Sequence, residues 1–384
     1  MIKLTLSLIV LIITYFLIFT NRRIRTTSAF FGAILTIVLG LITFDKAISY
    51  IDFNKLGIII GMMIFTIIAK ESGIFQYLAL KVIKYSKGNP LILLISEIIF
   101  ANIGGLATYI GTPANIMIGS AAKLNFHDFI YHTTPISIIL ILFNVFYFVI
   151  LFKNSFKKND AQNDIILHLN KIDERKAITN LPLFKNSLLI LGITTISSFF
   201  SHLINLDLSI VYLLGAIILL FVSHDKPDEI YAQIDWRIIF FLIGLNILAG
   251  TLEENGLIEI VSSKLLNLAK GNINFLSFTI LGISTFTSSF FDNIPIIALA
   301  IPVIENISRH IGSSVTILWW ALALGANIGA NGTLIGTASN LIVADIAEKN
   351  KQPIPFWYFV KIALPLVIFN LVIASIYFYL RYLS

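Results

Sequence analysis

The chain has 384 residues, of which 57% are hydrophobic and only 12% charged, with a mean hydropathy of +0.89. A soluble domain carries about 25% charge, so the composition excludes an ordinary soluble fold and points to repeated apolar spans of about 20 residues. The net charge of +6 lies in short loops, as in oriented membrane proteins, and gives no sign of nucleic acid as a partner.

Residues 1–20 pair Lys3 with an apolar run, as a signal peptide does, but no small-residue cleavage site appears and Arg22, Arg23 and Arg25 follow at once. The segment reads as a retained first span with its N-terminus outside and the arginines inside. Further spans fall near 28–44 and 54–70, then an amphipathic stretch at 74–86, a glycine-interrupted segment at 90–122 and a span at 131–152. The polar stretch 153–182 is rich in lysine and arginine, and counting spans also brings the chain to the cytoplasm there. This divides the chain into a first membrane repeat (1–152), a cytoplasmic linker (153–182) and a second repeat (183–384).

Adding 183 maps Gly32-Ala33-Ile34 onto Gly215-Ala216-Ile217, Gly61 onto Gly244, Glu71 onto Glu254 and Lys87-Gly88-Asn89 onto Lys270-Gly271-Asn272. The offset then jumps to 225, matching Asn102-Ile103-Gly104 with Asn327-Ile328-Gly329 and Asn115 with Asn340, so the second half carries 42 residues that the first lacks. An odd number of spans in the first half inverts the second. The expected fold is an all-α polytopic membrane protein of two inverted-topology repeats with discontinuous helices, a plan used by secondary transporters.

The paired motifs NIGGLATYIGTPAN (102–115) and NIGANGTLIGTASN (327–340) lie within apolar runs, where irregular backbone must be buried in protein or line a cavity. Gly104-Gly105 is placed to stop a helix. Thr112 before Pro113 is placed as a helix cap, and Thr337 can cap the equivalent half-helix. Each break would aim a helix N-terminus at the membrane centre. Thr108, Thr112, Asn115, Thr333, Thr337, Ser339 and Asn340 then supply neutral donors and acceptors for a small anion or oxyacid. Asn102 and Asn327 are candidates for ion coupling, and Na⁺ is placed at Asn115, Asn340 and Asp292. No basic residue is expected near this site. The six histidines show no i, i+4 pair and there are no cysteines, so no other metal site, cofactor or disulfide is expected.

The extra segment of the second half contains Ser288-Ser289-Phe290-Phe291-Asp292-Asn293 between apolar arms 273–290 and 296–304, and reads as a re-entrant hairpin (about 273–309). A carboxylate in an apolar run is costly, which marks Asp292 as a coupling group for Na⁺ or a proton. Ser288 and Ser289 join it, and Asn293 joins the substrate site. Glu97, the other acid within an apolar run, either binds a coupling ion or accepts a hydrogen bond from a broken helix.

These segments, with IDFNKLGIIIGMMIFTIIAKESGIF and GANIGANGTLIGTASNLIVADIAEK, resemble the ion transporter superfamily. The similarity is to its branch of arsenite permeases, melanosomal P proteins and citrate-transporter-like proteins. The resemblance covers nearly the whole chain. It implies a Na⁺- or H⁺-coupled secondary transporter of anions or oxyacids that works by an elevator-like motion. It also implies that the hairpin tip (Asp292, Asn293) and the asparagine-ended motifs line the sites. Relatives carry a hairpin in each repeat; here the first is missing between Gly88 and Pro90. That leaves three readings: an asymmetric site, a second copy or partner chain supplying the missing wall, or an impaired transporter. A Na⁺/H⁺ antiporter and a non-transporting membrane scaffold are the competing functions. No nucleotide loop, metal pair or serine–histidine arrangement suggests an enzyme, and the expected location is the cell's inner membrane.

Overall fold

The structure, a computed structural model, describes residues 2–21, 24–86, 90–153, 174–223, 227–311 and 315–383. Arg22, Arg23, most of the expected linker, His168, His224 and residues 87–89, where a hairpin is expected to be missing, lie outside them.

The described chain is helical. The first half runs through α1 (Ile2–Thr20), α2 (Arg25–Val38), α3 (Phe44–Ser49), α4 (Phe53–Glu71), α5 (Ile74–Ser86), α6 (Pro90–Leu106), α7 (Pro113–Ala121), α8 (Phe126–His132) and α9 (Thr134–Leu151). The second runs through α10 (Leu181–Phe200), α11 (Leu208–Ser223), α12 (Pro227–Gln233), α13 (Trp236–Glu254), α14 (Leu257–Ala269), α15 (Ile273–Phe290), α16 (Asn293–Ile311), α17 (Thr316–Gly329), α18 (Ala338–Lys349) and α19 (Phe356–Tyr382). Eight of the described helices are long and apolar enough to cross a membrane, and four shorter ones are also apolar. Large apolar side chains such as Leu142, Phe146, Leu189 and Phe221 stand exposed along them, a surface suited to lipid.

Helix boundaries repeat at the offsets read from the sequence. Shifting α4 by 183 gives the bounds of α13, and the same shift turns α5 into α14. A shift of 225 places α7 on the start of α18, leaving α15 and α16 as the surplus. Three boundaries differ from expectation. The second span ends at Val38, with α3 a separate short helix. α6 runs through Gly104-Gly105 to Leu106 before it breaks. The second arm of the surplus pair is 19 residues, Asn293–Ile311, because its polar end is held by other helices: Asn306 accepts from Ser262 Oγ and Arg309 pairs with Glu253.

The chain forms two compact units. Unit 2 (54–97 and 142–235) contains α4, α5, α10, α11 and α12. In it α4 packs on α11 so closely that a Cβ added to Gly61 would lie 2.9 Å from the Tyr212 backbone, and Asn54 Oδ1 accepts from the Ser209 N–H to cap α11. Unit 1 (1–53, 98–141 and 236–384) contains α1–α3, α7, α8 and α13–α19. In it α13 packs on α2 in the same way, a Cβ on Gly244 lying 2.7 Å from the Ala29 backbone. Gly61 and Ala29 become Gly244 and Tyr212 under the shift of 183, so one helix contact is built twice. At the centre of unit 1, α17 is buried on every side from Leu318 to Gly329, as expected of a helix apolar all round.

Candidate functional site

Within unit 1 two helices stop in the apolar interior. A helix end leaves four carbonyls or four N–H groups without partners, and in hydrocarbon each must be satisfied from within the protein. Here asparagine amides do it. Asn115 Nδ2 donates to the carbonyls of Gly105 (3.1 Å), Leu106 (3.3 Å) and Thr108 (2.8 Å), closing the loop between α6 and α7. Asn340 Nδ2 does the same for Ala330 (2.8 Å) and Thr333 (3.2 Å) between α17 and α18. Gly105 carbonyl and Ala330 carbonyl are equivalent under the shift of 225, as are those of Thr108 and Thr333.

The remaining amide atoms cross between the halves. Asn327 Nδ2 donates to Asn115 Oδ1 (2.8 Å), and its counterpart Asn102 Nδ2 donates to Asn340 Oδ1 (3.0 Å). Thr112 Oγ1 donates to Asn327 Oδ1 and accepts from the Asn115 N–H, capping α7 as expected. Asn331, which the motif comparison did not single out, accepts from Asn102 Nδ2 at 2.8 Å. Asn102, Asn115, Asn327, Asn331 and Asn340 are all buried, so each spends its amide on the fold and on its partners. The loops admit no bulk: a Cβ on Gly105 would meet the Gly111 carbonyl at 2.9 Å.

The halves differ at the second helix start. Thr337 does not cap α18; its hydroxyl pairs with Ser339 Oγ at 3.2 Å, and Ser339 is exposed. The α18 N-terminus is therefore open where the α7 N-terminus is closed. Thr333 is buried, donating to the Ser289 carbonyl (2.6 Å), so the turn after α15 abuts the second break. α15 and α17 run in the same direction, Gly325 facing Leu281 and Gly332 facing Ser289. Ser288 is fully buried, and among the described residues its Oγ has no hydrogen-bond partner.

Asp292 is held in an ion pair. Its Oδ2 is 2.9 Å from Arg25 Nη1, and its Oδ1 accepts from the Ile294 N–H at 3.1 Å, at the start of α16. This corrects the expectation that no basic residue approaches the site. Arg25 opens α2, lies over the Phe241 ring at 5.4 Å, and had read from sequence only as a topogenic flank of the first span. A cavity of about 480 Å³ opens on the pair, lined also by Phe19, Phe290, Phe291, Ile335 and Leu341, the last two flanking the open start of α18. Asn293 is buried as the first residue of α16, and Thr108 is half-buried in the first loop. Glu97 is exposed and falls in unit 2. Among the described residues no cluster of three metal-ligating side chains occurs.

An apolar helical surface and paired helix breaks stitched by amides define a polytopic membrane protein of the transporter type. The family model described as citrate transporter (CitMHS) matches residues 15–96, 87–325 and 206–384, and the chain belongs to that family. It is 29% identical to a 46 kDa membrane protein of Mycobacterium leprae over 98% of this chain and 99% of that one. It is equally similar to a protein named an uncharacterized transporter in Mycobacterium tuberculosis. It is 25% identical to the P protein of Sus scrofa, over 98% of this chain and 59% of that one. The Mycobacterium leprae alignment runs over 426 positions, 42 more than this chain has residues.

Proposed function

We propose that the protein is a secondary transporter of a small anion or oxyacid, driven by Na⁺ or H⁺. In this reading its two halves are inverted repeats whose broken helices meet at the bilayer midplane. The observation that carries it is the crossed amide pairing, Asn327 to Asn115 and Asn102 to Asn340, which repeats at an offset of 225. A two-fold arrangement of half-helix ends is how transporters of this plan present N–H groups to an anion and carbonyls to a cation.

The substrate is assigned to the uncapped α18 end with Thr337 and Ser339, with Thr108 and Thr112 facing it from the first loop. An unsatisfied helix start, half a positive charge in a low-dielectric setting, favours a carboxylate or oxyanion. The coupling ion is assigned to the end of α15 and its turn, where the Ser288 hydroxyl has no partner among the described residues, the Ser288 carbonyl adjoins Gly336, and Asp292 supplies a carboxylate. α15 and α16 form a re-entrant hairpin in this reading, because their turn meets the second break and a helix pair ending at that depth does not cross. The first hairpin is taken as missing, in keeping with the 42-residue offset jump. The N-terminus is outside and the linker cytoplasmic, which leaves the first break without a hairpin wall.

The test is flux in proteoliposomes holding the purified full chain, with labelled citrate, succinate, sulfate, phosphate and arsenite, under imposed Na⁺ or pH gradients. Gradient-driven uptake of at least one of them is expected, reduced in Ser339→Ala/Thr337→Ala. Absence of flux for every anion under both gradients would sink the transporter reading.

A further inference from the structure

We infer that Arg25 is the group that receives the carboxylate of the substrate, and that Asp292 is a resident carboxylate which that substrate displaces. The inference rests on the transport reading above and names its anion-recognition residue. Among the described residues, Arg25 and Asp292 are the charged side chains lining the 480 Å³ cavity, whose other walls are mostly aromatic and aliphatic. That size and lining suit a small organic ligand held by a few polar groups. The pair is 14–23% exposed, so an incoming anion can reach it.

The geometry leaves Arg25 under-used. Asp292 engages one guanidinium nitrogen, while the planar fork can hold a carboxylate through two. Its stacking over Phe241 fixes the plane without consuming a donor. A free carboxylate can therefore bind Arg25 more fully than Asp292 does, and it would lie beside Ile335 and Leu341, next to the open α18 start. Once displaced, Asp292 loses Arg25 while its Oδ1 still accepts from the Ile294 N–H, and taking up one proton or one Na⁺ replaces the positive charge it lost. Substrate binding and uptake of the coupling cation thus become one event. This role requires Asp292 to compete with the substrate.

The full chain purified in detergent is titrated with citrate and followed by thermal shift. Removing a competing ion pair of this partly exposed kind is worth about fivefold in affinity. Asp292→Asn is therefore expected to lower the half-saturating citrate concentration about fivefold. The double variant Arg25→Gln/Asp292→Asn removes both charges of the pair, has its folding checked by cooperative unfolding in the same melt, and is expected to bind citrate at least tenfold more weakly than wild type. Citrate binding by the double variant equal to wild type, or by Asp292→Asn no tighter than wild type, overturns the inference. If wild-type vesicles still carry anions in either of those cases, the inference falls and the transport reading stands.

Discussion

Asn327→Ala removes both an inter-half bond and the partner of two other groups. It deletes the 2.8 Å donation to Asn115 Oδ1 and the acceptor of Thr112 Oγ1, at a position 1% exposed. Asn115 is 0% exposed, so its Oδ1 is left without water, whereas Thr112 is half-buried and loses less. An orphaned buried acceptor costs ~1–3 kcal/mol in a soluble core. Inter-helix hydrogen bonds in membranes measure lower, ~0.6 kcal/mol on average and ~1.7 at most, because the unfolded reference also finds partners. The substitution should therefore destabilise by about 2 kcal/mol. A double-mutant cycle with Asn115→Ala should show a coupling of about 1 kcal/mol. The equivalent cycle, Asn102→Ala with Asn340→Ala, should give a similar coupling, since its 3.0 Å bond is the counterpart under the same shift. The assay is SDS titration of detergent-folded protein followed by tryptophan fluorescence. Additive effects in both cycles would refute the crossed pairing, and coupling in only one would refute its two-fold character.

Thr112→Ala should cost about 1 kcal/mol through the lost cap, while Thr337→Ala should cost much less, since Thr337 caps nothing; the same SDS titration separates them. Gly61→Ala and Gly244→Ala should both destabilise, because each Cβ would press on a neighbouring helix backbone at 2.7–2.9 Å, and thermal unfolding of the two should shift alike. Burial, then the Arg381 charge, holds His132 below its ordinary pKa against the opposing pull of Asp128. The unfolded chain then binds the proton first, so stability should fall as pH drops below about 6.5. His132→Gln should flatten the melting temperature between pH 7 and 5 if this imidazole is responsible.

Two offsets and two glycine-asparagine motifs are enough to read which helix boundaries recur and where the two breaks fall, because both depend on residue type at fixed spacing. The bonding of the asparagines was not legible in that way. A motif names amides but not their direction, and the demand of helix-end carbonyls for donors in an apolar interior turned Asn115 and Asn340 inward to the backbone. The same demand let α6 run past Gly104-Gly105, since the freed carbonyls had a donor waiting. Arg25 escaped notice because a basic residue after a first span has an ordinary topogenic reading, and its partner lies 267 residues away.

The pattern of what repeats separates scaffold from chemistry. Bonds that recur under the shift of 225, namely the amide staples and the two loop turns from Gly104 to Ala107 and from Gly329 to Gly332, hold both breaks open against the membrane interior. Groups that do not recur gather at the second break: Ser339 faces Ala114 across the shift, Asn331 faces Leu106, and Asp292 lies between the surplus helices α15 and α16. Arg25, under the first shift of 183, corresponds to Leu208. A site that needed both repeats equally would keep such polar groups in pairs. Their gathering at the second break makes the site asymmetric in the transport reading, with the first half contributing Arg25 and the amide partners that keep that break in shape. The first half's lack of a counterpart to α15 and α16 is then tolerable in that reading, because the groups it supplies, Arg25, Thr108 and Thr112, lie outside that stretch.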